Sequence, residues 1–137
     1  MSSALVKWIA AGVAAAVLLT IAATAFLSQR EEARVRARAT AVTGGDPRRG
    51  EAMFIEYGCG SCHAVRNVRT AVGNVGPPLD GVATRVIIAG RFANTPANME
   101  HWIRQPQQVS PGTAMPDLGV GEGDARDITA FLYTRTK

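Results

Sequence analysis

Cys59-Gly60-Ser61-Cys62-His63 decides how the rest of the chain is read. Two thiols three positions apart, with an imidazole directly after the second, form the attachment signature of a c-type haem. One helical turn between the cysteines brings both sulfurs to the two vinyl groups of a porphyrin edge, and His63 then reaches the iron from the proximal side. A thioredoxin-like dithiol needs a βαβ context that is missing here. A structural zinc site needs four ligands, and the other histidine, His101, comes 38 residues after His63 without a partner. With both cysteines consumed by the cofactor no disulfide is implied, so one covalently bound haem c is expected to hold the domain together.

Toward the N-terminus, Trp8 to Leu27 is a run of twenty uncharged residues. As a helix it covers roughly the 30 Å hydrocarbon core of a bilayer. A cleaved signal peptide is the rival, with Lys7 as its charged start and Ala23-Thr24-Ala25 as its cleavage site. Signal cores run to about 15 apolar residues, so a retained transmembrane anchor is expected. Gln29 to Val42 is rich in helix formers, includes the i,i+4 pair Glu32 and Arg36, and extends the membrane helix. Its arginines read as a solvated arm or as lipid headgroup contacts. Thr43-Gly44-Gly45 is expected to break the helix as a short flexible joint. The organisation is therefore residues 1–29 as anchor (or signal peptide), 30–45 as a partly helical linker, and 46–137 as the haem domain.

From Asp46 onward 10 Lys plus Arg face 9 Asp plus Glu, so most of the chain's net charge of +4 lies on the anchor's flank. Basic patches interleaved with aromatics are absent, which excludes a nucleic-acid partner. Asp46-Pro47 caps and starts a helix running to about Tyr57, with Ala52, Met53, Phe54 and Tyr57 apolar, Gly50 leaving room for a crossing helix, and Gly58 as the stop. Ala64 to Asn94 is turn-rich loop of a length that implies a site, with one short helical segment between Asp80 and Ala89. Thr95-Pro96 caps a short helix that presents Met99, Trp102 and Ile103 on one face up to Pro106, with His101 off that face and solvated. Glu122 to Thr134 is a last helix with Ala125, Ile128, Phe131 and Leu132 as its stripe. Strand alternation is nowhere sustained, so the domain reads as all-α.

The second axial position separates an electron carrier from a ligand-binding or reactive haem. Met115 is its candidate, in Pro111-Gly112-Thr113-Ala114-Met115-Pro116, where two prolines hold the backbone extended and leave the thioether free to point at a ring. The plain alternative is a surface-loop methionine. Met53 and Met99 sit on apolar helix faces and read as core. A soft sulfur raises the potential, and two fixed ligands keep coordination unchanged between oxidation states, as fast electron transfer requires.

Cys59-x-x-Cys62-His63, Gly76-Pro77-x-Leu79 and Ala114-Met115-Pro116, followed by a last helix, resemble a class I cytochrome c over about Asp46 to Thr134. The segment from Asn94-Thr95-Pro96 through Met115-Pro116 is also similar to cytochrome c domains fused to, or associated with, haem-copper oxidases. The resemblance implies a small helical fold in which the N- and C-terminal helices cross around one haem, with Gly50 and Phe54 against Ile128 and Phe131, preceded here by an N-terminal transmembrane helix. It implies that the Pro77 carbonyl accepts the Nδ1 proton of His63, the other reading of Pro77 being a turn former only. Trp102 matches an aromatic that lines the haem in such domains, and core packing explains it equally well. Arg85 or Arg91 is the candidate partner for a haem propionate.

The function this implies is electron transfer, not catalysis: a membrane-anchored monohaem cytochrome c, either a carrier or an electron-entry subunit, between a quinol-oxidising complex and a terminal oxidase. The other class is a haem sensor or peroxidase-like enzyme with an exchangeable sixth ligand, whose extra polar distal groups the sequence does not supply. The family attaches haem outside the bacterial cytoplasmic membrane, which implies a periplasmic haem domain on a single-pass anchor. The charge bias of Lys7 against Arg30, Arg34, Arg36 and Arg38 points the other way.

Overall fold

A computed structural model describes residues 2–137. It divides into two compact units at Val35–Arg36. From Ser3 on, the first unit lies within helix α1 (Ser3–Thr43). The most apolar 18-residue window of α1 has a mean hydropathy of 2.2 and no buried residue, so by length and composition the helix suffices to cross a membrane. Thr20, Thr24 and Ser28 turn their hydroxyls back onto the carbonyls of Ala16, Ile21 and Ala25 at 2.8, 2.9 and 2.8 Å. Such self-satisfaction is what hydrocarbon demands, because no water is there to accept the proton.

The second unit begins with the last turns of α1 and contains everything that follows. The flexible joint expected at Thr43-Gly44-Gly45 is instead a tied corner. Gly44 N donates to Thr40 O at 2.8 Å, and Thr43 Oγ1 donates to Ala39 O at 2.7 Å while accepting from Gly45 N at 3.2 Å. Asp46 N then donates to the Asp127 carboxylate at 2.7 Å, and Thr43, Gly45 and Pro47 are all buried. The glycine lets the backbone press onto the carbonyl of Arg126; its missing side chain serves packing rather than mobility.

Helices α2 (Pro47–Glu56) and α5 (Glu122–Tyr133) cross as the domain's central contact. Asp46 caps α2 by accepting from Arg48 N at 2.8 Å. At the crossing Gly50 meets Asp127, and the Phe54 and Phe131 rings lie 5.4 Å apart at 50°. Phe54, Ile128 and Phe131 are at most 2 % exposed. Ala52, expected on the apolar face of α2, is exposed; the buried face runs through Gly50 and Phe54, with Met53 and Tyr57 half-buried beside it.

The chain between the two helices carries more order than its turn-rich sequence implies. Strands β1 (His63–Ala64) and β2 (Val72–Asn74) pair antiparallel with a bulge, as do β3 (Ile87–Ile88) and β4 (Phe92–Ala93) without one. Elements of two or three residues are too short to leave an alternating pattern. The short helical segment expected after Asp80 is a single 3-10 turn at Val82–Thr84. Asn94 ties it to the last helix: its amide donates to Val82 O and Arg85 O at 2.8 and 2.9 Å, and its carbonyl accepts from Tyr133 at 3.2 Å. Helix α3 (Pro96–Arg104), capped by Thr95, packs on α5. A four-residue helix absent from the sequence expectation, α4 (Pro106–Val109), follows directly, since a proline that ends one helix also suits the first position of the next.

Candidate functional site

The cysteine motif forms one tight 3-10 turn at Cys59–Ser61, entered through Gly58 in the left-handed region at φ 71°. Cys62 and His63 follow directly and lead into β1, which brings both thiols and the imidazole to one side. Across from them, Gly76 N donates to Cys62 O and Leu79 N to Ala64 O, each at 2.9 Å. Between these ties His63 Nδ1 stands 2.8 Å from Pro77 O, a hydrogen bond in which the ring nitrogen donates and the tautomer is thereby set. The His63 ring lies flush on Gly76, where a Cβ would collide with the imidazole. The strap is also held by Arg85, whose guanidinium donates to the carbonyls of Pro78 and Asp80, while the Asp80 carboxylate accepts from Arg66 N at 3.1 Å.

A cavity of about 560 Å³ opens in front of this wall, within the range of small-molecule and cofactor sites. Cys59, Cys62, His63, Pro77, Trp102 and Met115 all line it, so the six residues singled out in sequence converge on one space. Met99 is 3 % exposed and contributes to the cavity wall as well as to the core. Met53 packs on the core away from the cavity, and His101 is exposed. Of the two arginines weighed for a propionate, Arg85 lines the cavity and Arg91 is exposed outside it. Tyr57 also lines the cavity and donates its phenol to Asp124 at 2.8 Å. The sequence reads Tyr57 only as apolar surface of its helix, and nothing local could have paired it with a carboxylate 67 residues away.

The donor set and the shape fit a haem. Two thiols stand at one edge of an apolar-walled cavity, with an imidazole nitrogen and a thioether among the lining groups. Burial pushes the Cys59 thiol up to about 11, so it is a neutral thiol at pH 7 rather than the exposed, activated thiolate of a redox dithiol. Among the described residues no group of three or more His, Cys, Asp or Glu is placed to hold a metal ion.

The cytochrome c family model matches residues 47–136. Similar curated proteins are each named cytochrome c oxidase subunit 2. That of Alkalihalophilus pseudofirmus is 37% identical over 84 residues, 61% of this chain and 24% of the relative. That of Bacillus subtilis is 31% identical over 90 residues, 64% of this chain and 25% of the relative. The chain thus spans about a quarter of the length of the relatives it matches. No solved structure matches it. A mainly helical domain closed by crossing terminal helices, a cysteine–histidine turn facing one cavity, and a match over residues 47–136 make the chain a member of the cytochrome c family, whose haem is covalently bound and whose work is electron transfer.

Proposed function

We propose that this chain is a membrane-anchored monohaem cytochrome c that delivers single electrons to a terminal oxidase from a quinol-oxidising complex, with its haem domain on the outer face of a bacterial cytoplasmic membrane. The observation that carries the reading is the convergence of Cys59, Cys62, His63 and Met115 on one cavity, with His63 oriented by Pro77 O at 2.8 Å. The oxidase as partner is supported by the relatives' names, and the anchor by the apolar helix.

When bound, a haem supplies the one-electron couple of its iron. Cys59 and Cys62 would hold it by thioether bonds. His63 Nε2 is left free to ligate, because Nδ1 is committed to Pro77 O, and that hydrogen bond raises the basicity of the ligating nitrogen. The Met115 thioether, which lines the same cavity, would be the second protein ligand to the iron, and a soft sulfur would favour the reduced state. Val82, Ile88, Met99 and Trp102 supply apolar wall to the cavity that would hold the haem. The anchor keeps donor and acceptor at high effective concentration, which replaces diffusional encounter.

The test is made on the full chain in detergent. Denatured protein should retain haem on a gel and lose it when Cys59→Ser and Cys62→Ser are combined. Met115→Ala should lose the weak sulfur-to-iron charge-transfer band, bind carbon monoxide when reduced and have a lower potential. The reduced protein, placed in vesicles with a haem-copper oxidase, should support oxygen uptake. Retained haem in the double cysteine variant, or an intact sulfur band in Met115→Ala, would overturn the corresponding assignment.

A further inference from the structure

We propose that Gln107 is the positioning residue for the Met115 thioether: its carboxamide braces the ligand loop from behind and sets how often that loop opens to outside ligands. The proposal rests on Met115 being the sixth ligand, as argued above. Gln107 belongs to α4, is half-buried and does not line the cavity, so it acts only through the loop.

The loop has little else to hold it. Among the described residues, Ala114 to Val120 make no backbone–backbone hydrogen bond. Pro111 and Pro116 have no N–H to offer, and Gly112 turns the chain at φ 81°. Gln107 fills the gap. Its Nε2 donates to Thr113 O at 2.8 Å and to Met115 O at 2.7 Å, and its Oε1 accepts from Gly112 N at 3.2 Å. Two carbonyls on one side and an N–H on the other fix which end of the amide is which. The base of the brace is held in turn, since Gln107 N donates to the Asp117 carboxylate at 3.3 Å. One side chain therefore spans the loop from Gly112 to Met115 and grips the main-chain carbonyl of the ligand residue itself.

An outside ligand reaches the iron only when Met115 has swung away, so its apparent affinity scales with the fraction of molecules whose loop is open. Opening separates Gln107 from Thr113 and Met115, and these bonds set that fraction. Without them, binding of imidazole to the ferric protein should tighten about tenfold.

The experiment titrates the haem-loaded full chain in detergent with imidazole, and also records the pH at which the sulfur-to-iron band disappears and the thermal midpoint. Gln107→Met keeps the length and removes the hydrogen bonds; it should bind imidazole about tenfold more tightly and lose the band at lower pH. Gln107→Asn, one methylene shorter, should fall between it and the parent. Gln108→Ala, an exposed neighbour on α4, should match the parent. A lowered thermal midpoint with parental imidazole affinity in Gln107→Met would reduce Gln107 to a structural residue and overturn the proposal. Should Gln107→Met not fold, parental affinity in Gln107→Asn overturns it equally. An intact band in Met115→Ala fails differently, by removing the ligand assignment beneath the proposal.

Discussion

Gly50 of α2 lies so close to the Asp127 carbonyl of α5 that a Cβ built on the glycine would overlap that oxygen. The obstacle is backbone, which cannot rotate aside as a side chain can. Gly50→Ala should therefore separate the crossing helices and loosen the Phe54–Phe131 contact behind them. The expected loss is about 1–3 kcal/mol, read as a lower denaturant midpoint of the haem-loaded protein. An unchanged midpoint would contradict so close a crossing.

Asp127 and Arg49 form an ion pair at 3.0 Å, but the two partners are not equivalent. The Asp127 side chain is 10% exposed and also receives Asp46 N at the corner, whereas the Arg49 side chain is 65% exposed. Asp127→Ala strands a donor and should cost about 2 kcal/mol. Arg49→Ala removes only a screened charge and should cost under about 1 kcal/mol. Urea unfolding of the two variants side by side checks the order, and equal losses would contradict it.

The hydrogen bond to Asp124, followed by burial, raises the Tyr57 phenol above its ordinary range. A group whose folded pKa is raised holds its proton more tightly in the native state. Its contribution is complete below the unfolded phenol's pKa, near 10, and is lost as pH rises through the folded value. Burial raises the Tyr133 phenol as well, so alkaline titration of the native protein should show both phenols ionising late, and Tyr57→Phe should leave only one. A tyrosine spectrum that titrates as in the unfolded chain would remove the linkage.

The apolar span is expected to persist in the mature protein. Intact mass should include the residues before Phe26, and osmotic shock should leave the haem in the membrane fraction. A soluble product beginning near Phe26 would mean cleavage after Ala23-Thr24-Ala25, and the effective-concentration argument for a tethered carrier would fall with it.

What the sequence determined by itself was whatever chemistry or length writes locally. The Cys59–His63 spacing, the Pro111–Pro116 frame around Met115, the caps Asp46 and Thr95, and the uncharged run from Trp8 to Leu27 each lie within a few turns of chain, where residue type and spacing suffice. The tertiary structure decided the rest because its ties join residues that local patterns cannot relate. Asp46 meets Asp127 across 81 positions and turns an apparent glycine hinge into a fixed corner. Tyr57 meets Asp124 across 67 positions at the cavity edge. Gln107 lies only 8 positions from Met115, yet its role depends on a four-residue helix and a left-handed Gly112 that no periodicity announces. Hydrogen bonds need geometry good to a few tenths of an ångström, and that precision exists only once the chain has folded around its core.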